Sequence, residues 1–257
     1  MTAPVPVPLA LVEGFASVWC RLAGGTWERL ETPAGTVVAW TSRDGQSEAP
    51  PDRMYGLVNA SAACIDPGDL PSGLAVNLPP GVTAEGAELH AVGHQLVAQD
   101  RDSAWASLRR VGRQGVLKAQ RVGCAVSDLS DDQYLALARA KAARFDSRAP
   151  HAALLPGLRD AFGADCVGLS GVAVDGQPAS AVLWLKVGDY GVLVDGASDR
   201  AHWDKNPNNL AVWTAIGQLI DAGCHRVDYG FSAPGAGDLR FKDHMGGREV
   251  PLYRASA

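Results

Sequence analysis

Apolar residues recur at three- and four-residue steps over Leu210, Trp213, Ile216 and Ile220, which places them on one face of a helix that Gly223 ends. Asn206 is the expected N-cap, and Pro207 suits the first helical position, where a missing N–H costs nothing. His225 to Phe231 then reads as a short strand, Ser232 to Asp238 as a Gly- and Ser-rich loop, and Leu239 to Met245 as a helical turn carrying Lys242. A helix that crosses over into a strand, with a polar loop at the strand's carboxyl end, is where α/β proteins tend to hold ligands.

Earlier in the chain, Leu9 to Leu22 reads as a helix and Thr36 to Trp40 as a strand ended by the turn signal Arg43-Asp44-Gly45. From Ser47 to Gly86 the text is rich in Pro, Gly and Asp, with short apolar runs at Tyr55 to Val58 and Leu74 to Leu78, and Leu89 to Ala98 is a further strand. Asp102 to Gln120 reads as one helix with Ser103 at its cap, and Arg109, Arg110, Arg113, Lys118 and Arg121 lie in or beside it. Beyond it the pattern becomes regular. Val122 to Val126 is a strand, Ser130-Asp131-Asp132-Gln133 opens a helix through Phe145 as a capping box, and a second helix covers Ala152 to Phe162. Cys166 to Val174, Ala179 to Val187 and Tyr190 to Asp195, separated by Asp175-Gly176 and Gly188-Asp189, make an antiparallel meander. A last strand lies near Val250 to Tyr253. The change of pattern divides the chain into a small, irregular α+β domain over 1–121, ending in the basic helix, and a mixed-sheet α/β domain over 122–257.

The length of 257 residues is ample for a core, and the net charge of -5 gives no global pull towards nucleic acid or an anionic membrane. Any polyanion must therefore be met by a local basic patch. Cys20, Cys64, Cys124, Cys166 and Cys224 are far apart, odd in number and form no CxxC pair, which points away from a disulfide framework or a zinc site and towards a reducing cytoplasm. His90 and His94 have i, i+4 spacing, but HAVGH lacks the Glu of a zinc-protease motif and falls on a strand, so no metal is expected. The N-terminus MTAPVPVPLA does not read as a signal peptide, and no run of about 18 apolar residues suggests a membrane span.

The order strand, two helices, three meandering strands, crossover helix, strand, short helix, strand is that of the GNAT acyltransferase topology. The stretch NNLAVWTAIGQLIDAGCHRVDYGFS followed by LRFKDHMGG resembles the C-terminal half of Fem-type transferases and their CelD-group acetyltransferase relatives. The resemblance rests on the crossover helix, on Asp228-Tyr229-Gly230, and on Phe241-Lys242-Asp243-His244-Met245-Gly246, where Met245 stands in place of the usual aromatic. WASLRRVGRQGVLKAQRVG is similar to the segment joining the two GNAT-like halves in that superfamily, so the first domain is a candidate degenerate copy. The likeness covers roughly Trp105 to Arg254. It implies transfer of an aminoacyl group from aminoacyl-tRNA, or of an acyl group from acyl-CoA, to an amine, with no tightly bound cofactor. In classical GNAT enzymes a glycine-bearing loop before the crossover helix binds the coenzyme A pyrophosphate. Here Ala197 to Asn206 holds that place without glycines, which tilts the expectation towards the Fem-like donor.

Lys242 is the leading catalytic candidate. An ammonium at a strand-end loop can steady the oxyanion that develops as an amine attacks an acyl carbon, or grip a phosphate; otherwise it is a solvated surface lysine. The resemblance adds that the matching Phe-Lys pair of Fem-type enzymes is implicated in the acceptor and acyl site, which brings in Phe241. Asp228 either orients the amine and draws off its proton or caps the following loop. Tyr229 shapes the site, Asn208 and Asn209 with the helix N-terminus approach the donor, and Arg200 and Lys205 stand beside that helix start. Arg109, Arg110 and Arg113 are the tRNA-binding candidates, set against a merely solvated helical face. His244 is either an acid–base group or a surface histidine, and Cys166 and Cys224 read as packed thiols. Without a nucleophile motif such as GxSxG, direct attack is expected. The rivals are an acyl-CoA N-acyltransferase and a GNAT-like binding module that has lost its chemistry.

Overall fold

The computed structural model describes residues 7–23, 25–41, 57–58, 64–70, 75–147 and 149–256. The expected turn Arg43-Asp44-Gly45, the residues Tyr55, Gly56 and Leu74 of two expected strands, and residues 1–6 lie outside them. The chain divides into two compact units assembled from separated segments. Met1–His94, Gly230–Leu239 and Glu249–Ala257 make the first; Gln95–Tyr229 and Arg240–Arg248 make the second. Gln95 to Arg121 falls in the second unit, where the two helices that precede Val122 pack on the crossover helix.

The first unit begins with α1 (Leu9–Ala23), which buries Leu11, Val12, Ala16 and Val18 and packs on the hairpin of β1 (Thr26–Thr32) and β2 (Gly35–Thr41). The hairpin is antiparallel, with Thr32 opposite Gly35 across a two-residue turn. Short strands follow: β3 (Leu57–Val58) against β2, β4 (Cys64–Ile65), β5 (Ala75–Asn77), and β6 (Thr83–Ala84) parallel to β4. β7 (Glu88–Val97) runs from the first unit into the second. Its His90 and His94 are four strand residues apart, roughly 13 Å along an extended chain, too far to share a metal.

In the second unit the expected single helix over Asp102 to Gln120 is two, α2 (Arg101–Ser107) and α3 (Arg110–Arg121). Leu108 and Arg109 between them are extended, with Leu108 buried. Asp100, not Ser103, is the N-cap of α2, and Ser103 is the third-position partner of a reciprocal capping box. Then come β8 (Ala125–Ser127), α4 (Asp131–Arg144) with the Ser130/Gln133 capping box in place, α5 (Leu154–Phe162), β9 (Val167–Val174), β10 (Gln177–Val187) and β11 (Tyr190–Ser198). A 3-10 helix, Arg200–Lys205, leads into α6 (Pro207–Asp221), the expected crossover helix. Pro207 holds the first position as expected, but Asn206 does not cap with its side chain; it adopts the left-handed conformation (φ 58, ψ 39) that turns the chain from one helix into the next. β12 (Arg226–Ser232), α7 (Leu239–His244) and β13 (Arg248–Ser256) complete the chain.

Within the second unit the strands hydrogen-bond in the order β12-β11-β10-β9-β8. β8, β9, β10 and β11 are antiparallel to one another, and β11 and β12 are parallel, which makes the sheet mixed. α6 packs across β9, β10 and β11 and buries Leu210, Ala211, Ala215, Ile216 and Leu219 beneath α3. At about 25 cal/mol per Å2, Leu210, Ile216 and Leu219 each contribute roughly 1.5–3 kcal/mol and the alanines about 1 kcal/mol or less, so this contact is a major source of the unit's stability. Among the described residues no helix is long and apolar enough to cross a membrane.

Candidate active site

The ladder between β11 and β12 has three pairs, Tyr190 with Arg226, Gly191 with Val227 and Val192 with Asp228. β11 runs on to Ser198, still paired with β10, and an irregularity there leaves Val194 as an extra residue. Asp195, next to it, accepts from Lys141 Nζ (2.6 Å) and Tyr134 Oη (2.9 Å) of α4. The bulged strand is thereby tied to the helix beside it.

Lys242 is the fourth residue of α7, a helix of six residues with little stability of its own. Its neighbours are pinned at several points. Phe241 packs against the core of the second unit, and Met245 is fully buried. The carbonyl of Met245 accepts from Tyr229 Oη at 2.7 Å, and that of His244 from the backbone N–H of Arg109 at 3.0 Å. Asn209 Nδ2 lies 3.5 Å from Met245 Sδ, and the Arg109 guanidinium reaches Asp243 at 3.0 Å. Phe241, Lys242, Tyr229 and Asn209 are thus drawn into one cluster about the end of α7. Burial pushes the Tyr229 phenol far up, so at neutral pH it serves as a hydrogen-bond donor and not as an acid or base.

Two glycines make the cluster possible. A Cβ at Gly112 of α3 would sit 2.0 Å from the His244 carbonyl oxygen, and one at Gly115 would sit 2.5 Å from Asn209 Nδ2. Glycine at i and i+3 inside a helix is a sequence signal of close approach that the reading of charge along this helix passed over. Gly112→Ala is expected to push α7 away and to destabilise the protein by about 1–3 kcal/mol, the range for overpacking. A thermal unfolding midpoint within a degree of wild type would show that α7 is not held here.

Asp228 is in the body of β12 rather than at its end, and alternation along the strand points it to the face opposite Tyr229. It is 3% exposed and accepts from Tyr190 Oη (2.5 Å) and Gln95 Nε2 (3.2 Å), while Arg226 donates to Gln95 Oε1 (3.0 Å). Tyr190, Gln95 and Arg226 are far from one another in sequence, and nothing in the local pattern marks them as partners. Asp228 is not brought together with Tyr229 and the end of α7.

The remaining candidates are spread. Asn208 Oδ1 faces the Ser180 hydroxyl at 3.4 Å. Lys205 pairs with Asp175 (3.3 Å), and Arg200 is exposed with its guanidinium 6.0 Å from the Trp203 ring. Arg110 is exposed, whereas Arg113 turns back to donate to the carbonyls of Leu108 (2.6 Å) and Ala106 (3.3 Å), closing the C-terminal end of α2. Arg113→Met is accordingly expected to lower stability by about 1.5–3 kcal/mol, the value of hydrogen bonds to a charged donor, without changing the salt dependence of polyanion binding. Denaturant titration and a salt series on the same variant check both halves. Cys224 is buried with its thiol pushed up to about 11 by desolvation, so it holds no thiolate at neutral pH.

Residues 100–243 match the family model described as the acetyltransferase (GNAT) domain. The chain belongs to this family. It is a GNAT-like acyltransferase. Among curated proteins no sequence match is found. Among solved structures, FemX is 12% identical with a TM-score of 0.68, covering 99% of this chain and 93% of that one. A conserved protein of unknown function from Bacteroides thetaiotaomicron is 10% identical (TM-score 0.62; 98% and 92% covered). The C-terminal domain of a protein designated a lysylphosphatidylglycerol synthetase, from Agrobacterium fabrum, is 10% identical (TM-score 0.55; 95% and 90% covered). At such identities the likeness is one of fold. In this GNAT domain the segment before the crossover helix, Ala197 to Asn206, is the end of β11 followed by the 3-10 helix, and carries no glycine.

Proposed function

We propose that this GNAT acyltransferase moves an aminoacyl group from aminoacyl-tRNA to an amine by direct attack, with Lys242 stabilising the charge that develops on the acyl oxygen. The observation that carries this reading is the anchoring of α7. Arg109, Asn209 of α6 and Tyr229 of β12 hold His244 and Met245 just after Lys242, and Phe241 just before it packs on the core, so the backbone that carries Lys242 is fixed before reaction, which favours a preorganised cation. Asn208, Asn209 and the start of α6 lie towards the donor, Phe241 and Tyr229 shape the acceptor side, and Asp228 holds β12 to β11 through Tyr190. Arg110 is the member of the basic cluster whose charge is offered to a polyanion. The donor assignment is supported by the missing glycine loop, and by fold likeness to FemX and to a protein whose designation names a lysyl product.

The second reading, an acyl-CoA donor, is favoured by the short β11–β12 ladder: beyond Val192, β11 has strand edge that no β12 pairing covers, and an amide-bearing pantetheine arm is a natural partner for such an edge. A donor screen offering charged tRNAs and acyl thioesters side by side to the purified protein separates the two. Transfer from neither donor to any amine acceptor would leave the binding-module reading in their place.

A further inference from the structure

At the end of α4 and in the 3-10 helix before α6, four side chains form a stack. The Arg144 guanidinium carbon lies 4.7 Å from the centroid of the Phe145 ring and 4.6 Å from that of Trp203, and Arg200 lies 6.0 Å from the same Trp203 ring. Both rings are open to solvent, Phe145 at 61% and Trp203 at 44% exposure. The stack is built rather than loose. Trp203 Nε1 donates to Ser198 Oγ at 3.0 Å, which fixes the indole to the last residue of β11. The Asp199 carboxylate accepts from the Ala201 N–H at 3.0 Å and so caps the helix that carries Arg200 and Trp203.

Among the described residues Arg101, Arg109, Arg159, Lys141 and Lys205 of the same unit each pair with a carboxylate, but Arg144 and Arg200 pair with none. Arg144 Nε is buried without a hydrogen-bond partner, as expected of a guanidinium held between two ring faces. Cations mounted on rings, with no carboxylate competing for them, are suited to phosphate oxygens. An exposed indole beside them offers a face on which any nucleobase can stack. The 3-10 helix runs directly into Pro207, the start of α6, where the donor is placed in the function proposed above.

We infer that Trp203, Arg144, Phe145 and Arg200 form a docking platform for the adenosine-phosphate end of the acyl donor, the base stacking on Trp203 and the phosphate held by Arg144 and Arg200. The inference rests on the acyl-transfer reading for its choice of ligand. Coenzyme A and the 3′ terminus of a tRNA share this chemistry, so the platform serves either donor, and the ligand that depends on it identifies which one.

Calorimetric titration of wild type, Trp203→Ala, Arg144→Gln and Arg200→Gln with adenosine 3′,5′-bisphosphate, coenzyme A and a CCA trinucleotide tests it. Trp203 and Arg200 are exposed, so their truncation leaves no core cavity, and circular dichroism verifies the fold of each variant. The expected result is that wild type binds at least one of these ligands, that Trp203→Ala weakens it tenfold or more, and that the arginine variants weaken it and flatten its salt dependence. Loss confined to coenzyme A or to CCA names the donor. No binding of any of the three by wild type, or affinities unchanged in Trp203→Ala and Arg144→Gln, overturns the platform. Acyl transfer measured on the same proteins keeps the two proposals apart. Transfer with a wild-type donor KM in Trp203→Ala removes the platform and leaves the enzyme reading standing. Trp203-dependent nucleotide binding without any transfer does the reverse.

Discussion

Lys242→Ala is expected to lower kcat by about a hundredfold or more, with the fold intact and the donor affinity close to wild type. The size follows from the role: a cationic donor aimed at charge that exists only in the transition state is worth roughly 3–4 kcal/mol, and its loss appears in kcat rather than in binding. The fold is spared because α7 is held by Phe241, by the Met245 and His244 carbonyls and by Asp243, none of which depends on the Lys242 head group. If Lys242 instead grips an anionic acceptor, the acceptor KM rises and kcat falls less, since uniform binding has been removed. Lys242→Arg separates these cases: a planar guanidinium places its donors differently and restores little to an oxyanion, but it restores charge to an anionic acceptor site. Wild-type kinetics for both substrates in a folded Lys242→Ala protein would remove Lys242 from the mechanism.

Much of the second unit was legible because its elements bury one face each. The 3.6-residue repeat of α6, the Ser130/Gln133 capping box of α4 and the turn signals of the meander are local, and the structure follows them. β1 escaped because Thr26 to Thr32 is largely exposed on both faces, so no apolar alternation marks it as a strand. The break between α2 and α3 escaped for another reason. Leu108 and Arg109 leave the helical conformation to serve contacts with the His244 carbonyl and Gly246, which lie more than a hundred residues on in the chain. The same distance explains the basic helix. Counted along the sequence, Arg109, Arg110 and Arg113 form one patch, yet Asp243 engages the first and the α2 carbonyls the third. Charge reversal at all three positions would therefore disturb the corner that holds α7 as well as any polyanion contact. The anchoring of α7 by Tyr229, Asn209 and Gly112 is tertiary in the same way, although the helical glycines were visible.

Asp228→Ala should destabilise the protein by about 1–3 kcal/mol, while Asp228→Asn should fold and retain most of its turnover. In the alanine variant Tyr190 Oη loses the Asp228 acceptor inside the protein, and Gln95 Nε2 loses it too but keeps Tyr190 Oη; the loss of a buried acceptor costs about 1–3 kcal/mol. Asparagine keeps one oxygen at the same reach, and Tyr190 can still donate to it. A general base must come within about 2.6–3.2 Å of the proton it takes, or one water away. Asp228 Oδ2 accepts from both Tyr190 and Gln95, and the side chain is almost wholly buried and faces away from the side of β12 that bears Tyr229 and the end of α7. These contacts tie Asp228 of β12 to Tyr190 of β11, beside the pairing of Val192 with Asp228 where their ladder ends. Denaturant unfolding of the alanine variant measures the first effect and steady-state kinetics of the asparagine variant the second. A folded Asp228→Asn protein with kcat reduced a hundredfold and a flattened pH profile would return Asp228 to the role of base, because an amide differs from the carboxylate chiefly in being unable to take the proton.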